Sequence, residues 1–343
     1  MASTDQSRSR GDMLDIIDRL HDFDDVDHRS DGRGDSRDGR VYVTSKEIRT
    51  ALKVAMVTGR PLLLAGPPGC GKSSLASYIA RNVGLRYHEF TVTENADPQD
   101  LLWRVDNVRR LNDANLGALV KEAHNTDIYR YLEPGPLWWC LSPETARRRG
   151  APPDVTRSAD FIDAVPPSML ADHVATEPGA VLLIDEIDKA DSAFCNGLLV
   201  PLGSRQFPVQ PIGELITPDE DQTPGSPLVL ITTNNERDLP NAFIRRCIAL
   251  TIPAPDANKL VEIAGVHFAA HELDEQTRTQ IRHLAVKLTE SDGNDTQPSI
   301  AEFLDLVRTL LSLDIAIDSE EWKIIEQLVI EKKDVRGSRM IEW

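Results

Sequence analysis

The stretch Pro61–Leu75, PLLLAGPPGCGKSSL, constrains this 343-residue chain more than any other. An apolar run precedes a Gly-Pro loop, and Lys-Ser-Ser opens a helical pattern behind it. Gly66, four residues, Gly71, Lys72 and Ser73 complete the G-x-x-x-x-G-K-[ST] spacing. The chemistry needs these residue types. Gly66, Gly69 and Gly71 open backbone angles closed to other residues. The N–H groups of the loop, Gly66, Pro67, Pro68, Gly69, Cys70, Gly71, Lys72, Ser73 and Ser74, can then converge on phosphate oxygens at a helix N-terminus, the prolines contributing shape and no donor. Lys72 supplies a mobile point charge for β- and γ-phosphates, and Ser73 a hydroxyl ligand for Mg²⁺. Cys70 lies where thiolates are stabilised, and is expected to act as a small spacer.

Composition sets limits around that loop. The net charge of −17 argues against a protein that coats duplex nucleic acid. Cys70, Cys140, Cys195 and Cys247 are far apart and form no C-x-x-C pair, so neither a disulfide framework nor a zinc site is expected. No apolar run approaches the roughly 18 residues of a membrane span. Asp and Arg stand near the N-terminus where a signal peptide has its apolar core. A reducing, cytoplasmic location without membrane contact is expected.

Three regions follow from the pattern. In residues 1–40, Met13, Ile16, Ile17, Leu20 and Phe23 recur at helical spacing, followed by an apolar-free run from His28 to Arg40. This predicts a short amphipathic helix on a tether, which either docks a partner or covers its own domain. Residues 41–253 alternate helical stretches with strands at Leu62–Ala65, Arg86–Thr93, Ala180–Glu186, Leu228–Thr232 and Cys247–Ile252, of which Arg86–Thr93 alternates while Ala180–Glu186 and Leu228–Thr232 read as buried. A helix is expected over 188–202, a hairpin or loop over 206–216, and an insert over about 142–175 with one short helix and a solvated arginine run, Arg147–Arg149. At least one of Trp138 and Trp139 is expected in the core. Residues 254–343 predict four helices, at 256–271, 274–289, 299–312 and 319–333, the third opened by a Ser299–Glu302 capping box. The fold class is therefore an α/β phosphate-loop core, a parallel sheet flanked by helices, with a C-terminal all-α lid.

Candidate catalytic residues stand at strand ends, where parallel sheets place ligands. Asp185 and Glu186 end the run AVLLIDE; an Asp there can hold a Mg²⁺ shell, and the adjacent Glu can polarise an attacking water. Asn234 follows LVLIT and could orient that water, with Asn235 as its rival. Arg245 and Arg246 follow the next short helix.

The ordered set of landmarks resembles the AAA+ ATPases, and more narrowly their MoxR-like branch. GPPGCGKSSLA, EPGPLW, DEIDKADSAFCNGLL, ITTNN and LPNAFIRRC carry the resemblance over about residues 41–330. It implies ATP and Mg²⁺ on Lys72 and Ser73, metal on Asp185, and Glu186 as base. It also implies Asn234 as sensor 1 and Arg246, with Arg245 as rival, as an arginine finger on a neighbour's ATP. A homo-oligomeric ring, usually a hexamer, follows, together with a separately encoded client, such as a von Willebrand A protein in a prokaryotic maturation or defence module. One departure stands out: where the family places an arginine early in the third lid helix, this chain reads QPSIAEF, with none before Arg308. Two other readings remain in view, a slowly turning nucleotide-gated scaffold and a DNA-dependent motor.

Overall fold

The computed structural model describes residues 17, 38–120, 128–152, 161–167, 170–220, 226–269, 271, 273–289, 299–313, 315, 317 and 319–331. In chain order the helices are α1 (Lys46–Thr58), α2 (Lys72–Val83), α3 (Asn107–Val120), α4 (Pro136–Leu141), α5 (Pro143–Arg147), α6 (Ser192–Ser204), α7 (Asn241–Ile244), α8 (Ala257–His267), α9 (Glu275–Thr289), α10 (Ile300–Leu313) and α11 (Glu320–Glu326). The strands are β1 (Leu62–Ala65), β2 (Arg86–Thr91), β3 (Trp103–Val105), β4 (Leu132–Pro134), β5 (Ala180–Asp185), β6 (Phe207–Val209), β7 (Glu214–Ile216), β8 (Leu228–Thr233) and β9 (Ile248–Thr251). The chain divides into two compact units. Among the described residues, the first takes in Ile17, Ser45–Ala65 and those within 79–251; the second those within 38–44, Gly66–Tyr78 and those from Ile252 on.

The first unit is built on a five-stranded parallel sheet in the order β2-β5-β8-β1-β9. Every residue of β5 and β8 is buried, as a sheet covered on both faces requires, which is why their sequences run apolar without alternation. Register places Ile184 against Ile231, so the tips of β5 and β8 lie side by side. Ser45 caps α1 by accepting a hydrogen bond from Ile48 N–H, and Gly59 ends the helix. Strands β6 and β7 form the expected antiparallel hairpin. Trp138 and Trp139 are both buried, and Trp138 Nε1 donates to Thr145 Oγ1 at 2.9 Å. The short helix of the insert is α5.

Two expectations shift. Helix α6 begins at Ser192, not at 188, because the Asp191 side chain caps it at Phe194 N–H (3.0 Å). Residues Ile187–Lys189 form a separate tight turn. The arginine run is not uniformly solvated either: Arg149 turns inward and donates to Leu132 O at 2.6 Å. The N-terminal amphipathic segment lies outside the described residues except for Ile17, which is helical and fully buried.

In the second unit, α8 to α11 match the four expected helices and bury one apolar cluster around Leu284, Phe303, Val307 and Trp322. Val43 joins that cluster. Helix α10 opens with the expected capping box: Ser299 Oγ accepts from Glu302 N–H at 3.2 Å, and Glu302 Oε2 accepts from Ser299 N–H at 2.7 Å. No helix among the described residues is long and apolar enough to cross a membrane.

Candidate active site

Residues 66–74 of the phosphate loop belong to the second unit. Gly69 has φ 74°, and a Cβ there would lie 2.1 Å from Ser299 Cβ. A Cβ on Gly66 would meet Ile252 O at 2.2 Å. Only glycine therefore fits at these two positions. Gly69 O accepts the N–H of Ile300, the first residue of α10, at 3.0 Å, so the lid helix begins directly on the loop. Lys72 is buried, with its Nζ donating to Gly66 O at 2.8 Å and Pro67 O at 2.7 Å. Its ammonium also lies 3.9 Å from Cys70 Sγ. Burial pushes the Cys70 thiol up more than Lys72 pulls it down, which keeps it protonated, as suits a spacer. Glycines in a strained cradle and a lysine folded against it fit a polyphosphate, which would offer oxygens to the same ammonium. Helix α10 has its first arginine at Arg308, whose charge acts on His267.

The acids stand in the first unit. Asp185 ends β5 and is 2 % exposed. Its Oδ1 accepts from Thr232 Oγ1 at 2.6 Å, and the same hydroxyl accepts from Glu186 N–H at 2.8 Å. One side chain on β8 thus holds both acids' positions. Glu186 has φ 60° and ψ 50°, a left-handed conformation uncommon for a non-glycine residue. Its half-buried carboxylate accepts from Lys189 Nζ at 2.5 Å. That bond is the main reason the Lys189 ammonium is held above its ordinary range.

Asp188 is buried beneath the next strand tip. Its Oδ2 accepts from Asn234 N–H at 3.0 Å and from Glu236 N–H at 2.9 Å. Its Oδ1 has no hydrogen-bond partner among the described residues. The two asparagines now differ. Asn235 is exposed, with φ 60° and its N–H on Thr233 Oγ1 at 3.0 Å, a turn-forming arrangement. Asn234 is half-buried at the tip itself.

Arg245 and Arg246 follow α7, whose Phe243 is buried as its anchor. Both arginines are exposed, and Arg246 Nη1 donates to Ala242 O at 3.4 Å. The first unit therefore gathers Asp185, Glu186 and Asn234 at neighbouring strand tips, and holds Arg245 and Arg246 on a separate turn. Sequence reasoning missed Thr232, Asp188 and Lys189. A third acid in LIDEID and a polar residue inside the apolar ITT run were the only local signals.

Comparison with known proteins bears on the family of the chain. The family model of the AAA domain, dynein-related subfamily, matches residues 61–247. No curated protein matches. Among solved structures, a Cytophaga hutchinsonii protein provisionally named an ATPase aligns at 16% identity and a TM-score of 0.40, over 90% of this chain and 66% of that one. The family match runs from the strand before the phosphate loop to the residue after the paired arginines, more than half of the sequence. The chain therefore belongs to the AAA domain family of ATPases, in its dynein-related subfamily.

Proposed function

We propose that the chain is a Mg²⁺-dependent ATPase of MoxR-like type that assembles into a homo-oligomeric ring, hexameric by family habit, and remodels a separately encoded client in the cytoplasm. One observation carries the hydrolytic reading: the buried Asp185 and the half-exposed Glu186 are set in place by one hydroxyl, Thr232 Oγ1. Such preorganisation suits two acids with different tasks, one holding a cation and one accepting a proton. Lys72 and Ser73 would bind the phosphates and the metal, with Asp185 as the second metal ligand. Bound Mg²⁺ would neutralise charge on the transferred phosphoryl group. Glu186 takes the proton of a water that Asn234 orients. Arg246, or Arg245 beside it, serves the nucleotide of a neighbouring subunit. A von Willebrand A protein is the kind of client this branch suggests.

Three variants test the reading. Lys72→Ala should lose nucleotide binding or turnover. Glu186→Gln should bind ATP and hydrolyse it poorly, since an amide keeps the shape but accepts no proton. Arg246→Ala should bind ATP, turn over slowly, and regain activity when mixed with Lys72→Ala, because mixed rings pair an intact loop with an intact finger. Full activity as a dilute monomer refutes the ring.

A slowly turning, nucleotide-gated scaffold is favoured by a different contact. Lys189 holds the Glu186 carboxylate at 2.5 Å and competes with water for its proton-accepting oxygen. A scaffold should show little turnover even with its client present, and faster turnover in Lys189→Ala. DNA should leave the rate of either machine unchanged.

A further inference from the structure

The turn that carries Arg245 and Arg246 is held by a third arginine, far away in sequence. Arg60 lies directly after α1, between Gly59 and Pro61. Its Nε donates to Arg246 O at 3.1 Å, and its Nη2 donates to Cys247 O at 3.0 Å and to Arg245 O. One guanidinium thus spans three consecutive carbonyls just past a single-turn helix, where orphan acceptors accumulate. The planar fork matters: separate N–H groups reach different oxygens in one plane, which a single ammonium cannot reproduce.

The surroundings make that tether consequential. A cavity of about 370 Å³ borders the same turn, walled by Leu198, Leu202 and Phe243 together with Arg60, Arg245 and Arg246. Close contact on that side therefore does not fix the backbone. Arg60 is itself backed by a second layer. Arg205, at the end of α6, donates to Gly59 O at 3.2 Å and to Ser226 O at 3.0 Å. The peptide before Arg60 is thereby tied to the body of the first unit.

We infer that Arg60 is a positioning residue for the arginine finger, orienting the Arg245–Cys247 backbone so that the finger can reach a neighbouring subunit's nucleotide. The inference rests on the ring-ATPase reading above, but not on which of the two arginines is the finger, since both carbonyls are clamped. An arginine finger contributes about 10³–10⁵ in rate, and a misplacement near 1 Å costs about 10²-fold. Arg60→Ala should therefore lower kcat by about 10²-fold, with the affinity for a fluorescent ATP analogue and the KM unchanged. Arg60→Lys should recover part of that loss.

Mixing experiments separate positioning from mere structure. Arg60→Ala mixed with Lys72→Ala should regain turnover, because Lys72→Ala subunits bring a well-held finger to an intact loop. Arg60→Ala mixed with the double variant Arg245→Ala/Arg246→Ala should regain none, since every finger in such rings is impaired whichever arginine serves. Full activity of Arg60→Ala overturns the inference. Recovery with that double variant overturns it too, as it would place Arg60 in its own subunit's site. Failure to recover with Lys72→Ala assigns Arg60 to folding alone and likewise overturns it. If Arg246→Ala and Arg245→Ala are both fully active, the finger itself is absent, and the ring-ATPase reading falls independently of Arg60.

Discussion

Replacing Thr232 by valine tests the polar network of the first unit most directly. Valine keeps the shape of the side chain and removes only the hydroxyl. Two hydrogen bonds disappear, one accepted from Glu186 N–H and one donated to Asp185 Oδ1. A neutral bond of this kind contributes about 1 kcal/mol and a bond to a carboxylate about 1.5–3 kcal/mol. Valine avoids desolvating a hydroxyl, which offsets part of the sum, and the net destabilisation should be about 2–3 kcal/mol. Urea unfolding followed by tryptophan fluorescence measures it, with an unchanged dependence on denaturant showing that the same surface unfolds. Thr232→Ser is the control. It keeps the hydroxyl and loses one buried methyl, at about 1 kcal/mol. Turnover should fall in the valine variant and hold in the serine variant. A valine variant within about 0.5 kcal/mol of wild type, or a serine variant as damaged as the valine one, would refute the network.

Three further outcomes follow from buried groups and the loop. His88 is 3 % exposed and neither ring nitrogen has a partner among the described residues; burial, aided by Arg86, lowers its pKa to about 3. Its neutral form is favoured by folding, so this stability is fully present above the unfolded pKa near 6.5 and is lost as pH falls towards 3, on the order of 5 kcal/mol in all. His88→Leu should flatten the acid limb of a stability–pH curve, leaving a residual slope of the same sign from His267, which burial lowers to about 4. Asp188→Ala removes the acceptor of two loop amides; hydrogen exchange at Asn234 and Glu236 should accelerate, and unchanged protection would contradict the role given to Asp188. Gly69→Ala forces a left-handed alanine against Ser299, so it should lower the melting temperature and weaken nucleotide binding together, with a strain cost of about 1–3 kcal/mol.

Much of the fold was legible because burial on both faces leaves a simple trace. LLLA, AVLLI and LVLIT could hardly be anything but central strands, and they are β1, β5 and β8. The lid helices were equally plain from their spacing and from the Ser299–Glu302 box. The errors lay where a polar side chain had two employers. Residues 188–190 fit a helical pattern, but Asp188 is claimed by the amides of the β8 tip, and Asp191 caps the helix instead. Arg149 sits in a basic run that reads as surface, yet a left-handed turn sends it to the Leu132 carbonyl.

The candidate site was legible only in its outermost layer. Lys72, Asp185 and Glu186 announce themselves by spacing along a few residues. Thr232 touches Asp185 across 47 positions and Arg60 reaches Arg246 across 186, distances over which no local pattern exists. These contacts explain something the motif leaves open, namely how a glutamate keeps a backbone conformation that costs about 1–2 kcal/mol in an L-residue. At Glu186 the N–H is held by β8 and the carboxylate by Lys189, while Asp188 ties the same turn to the Asn234 loop. Three hydrogen bonds of about 1 kcal/mol or more each exceed that strain. The Glu186 carboxylate therefore owes its place to neighbours on the adjacent strand β8 and in its own turn, and a change in any of them is felt at Glu186 before it is felt in the sheet.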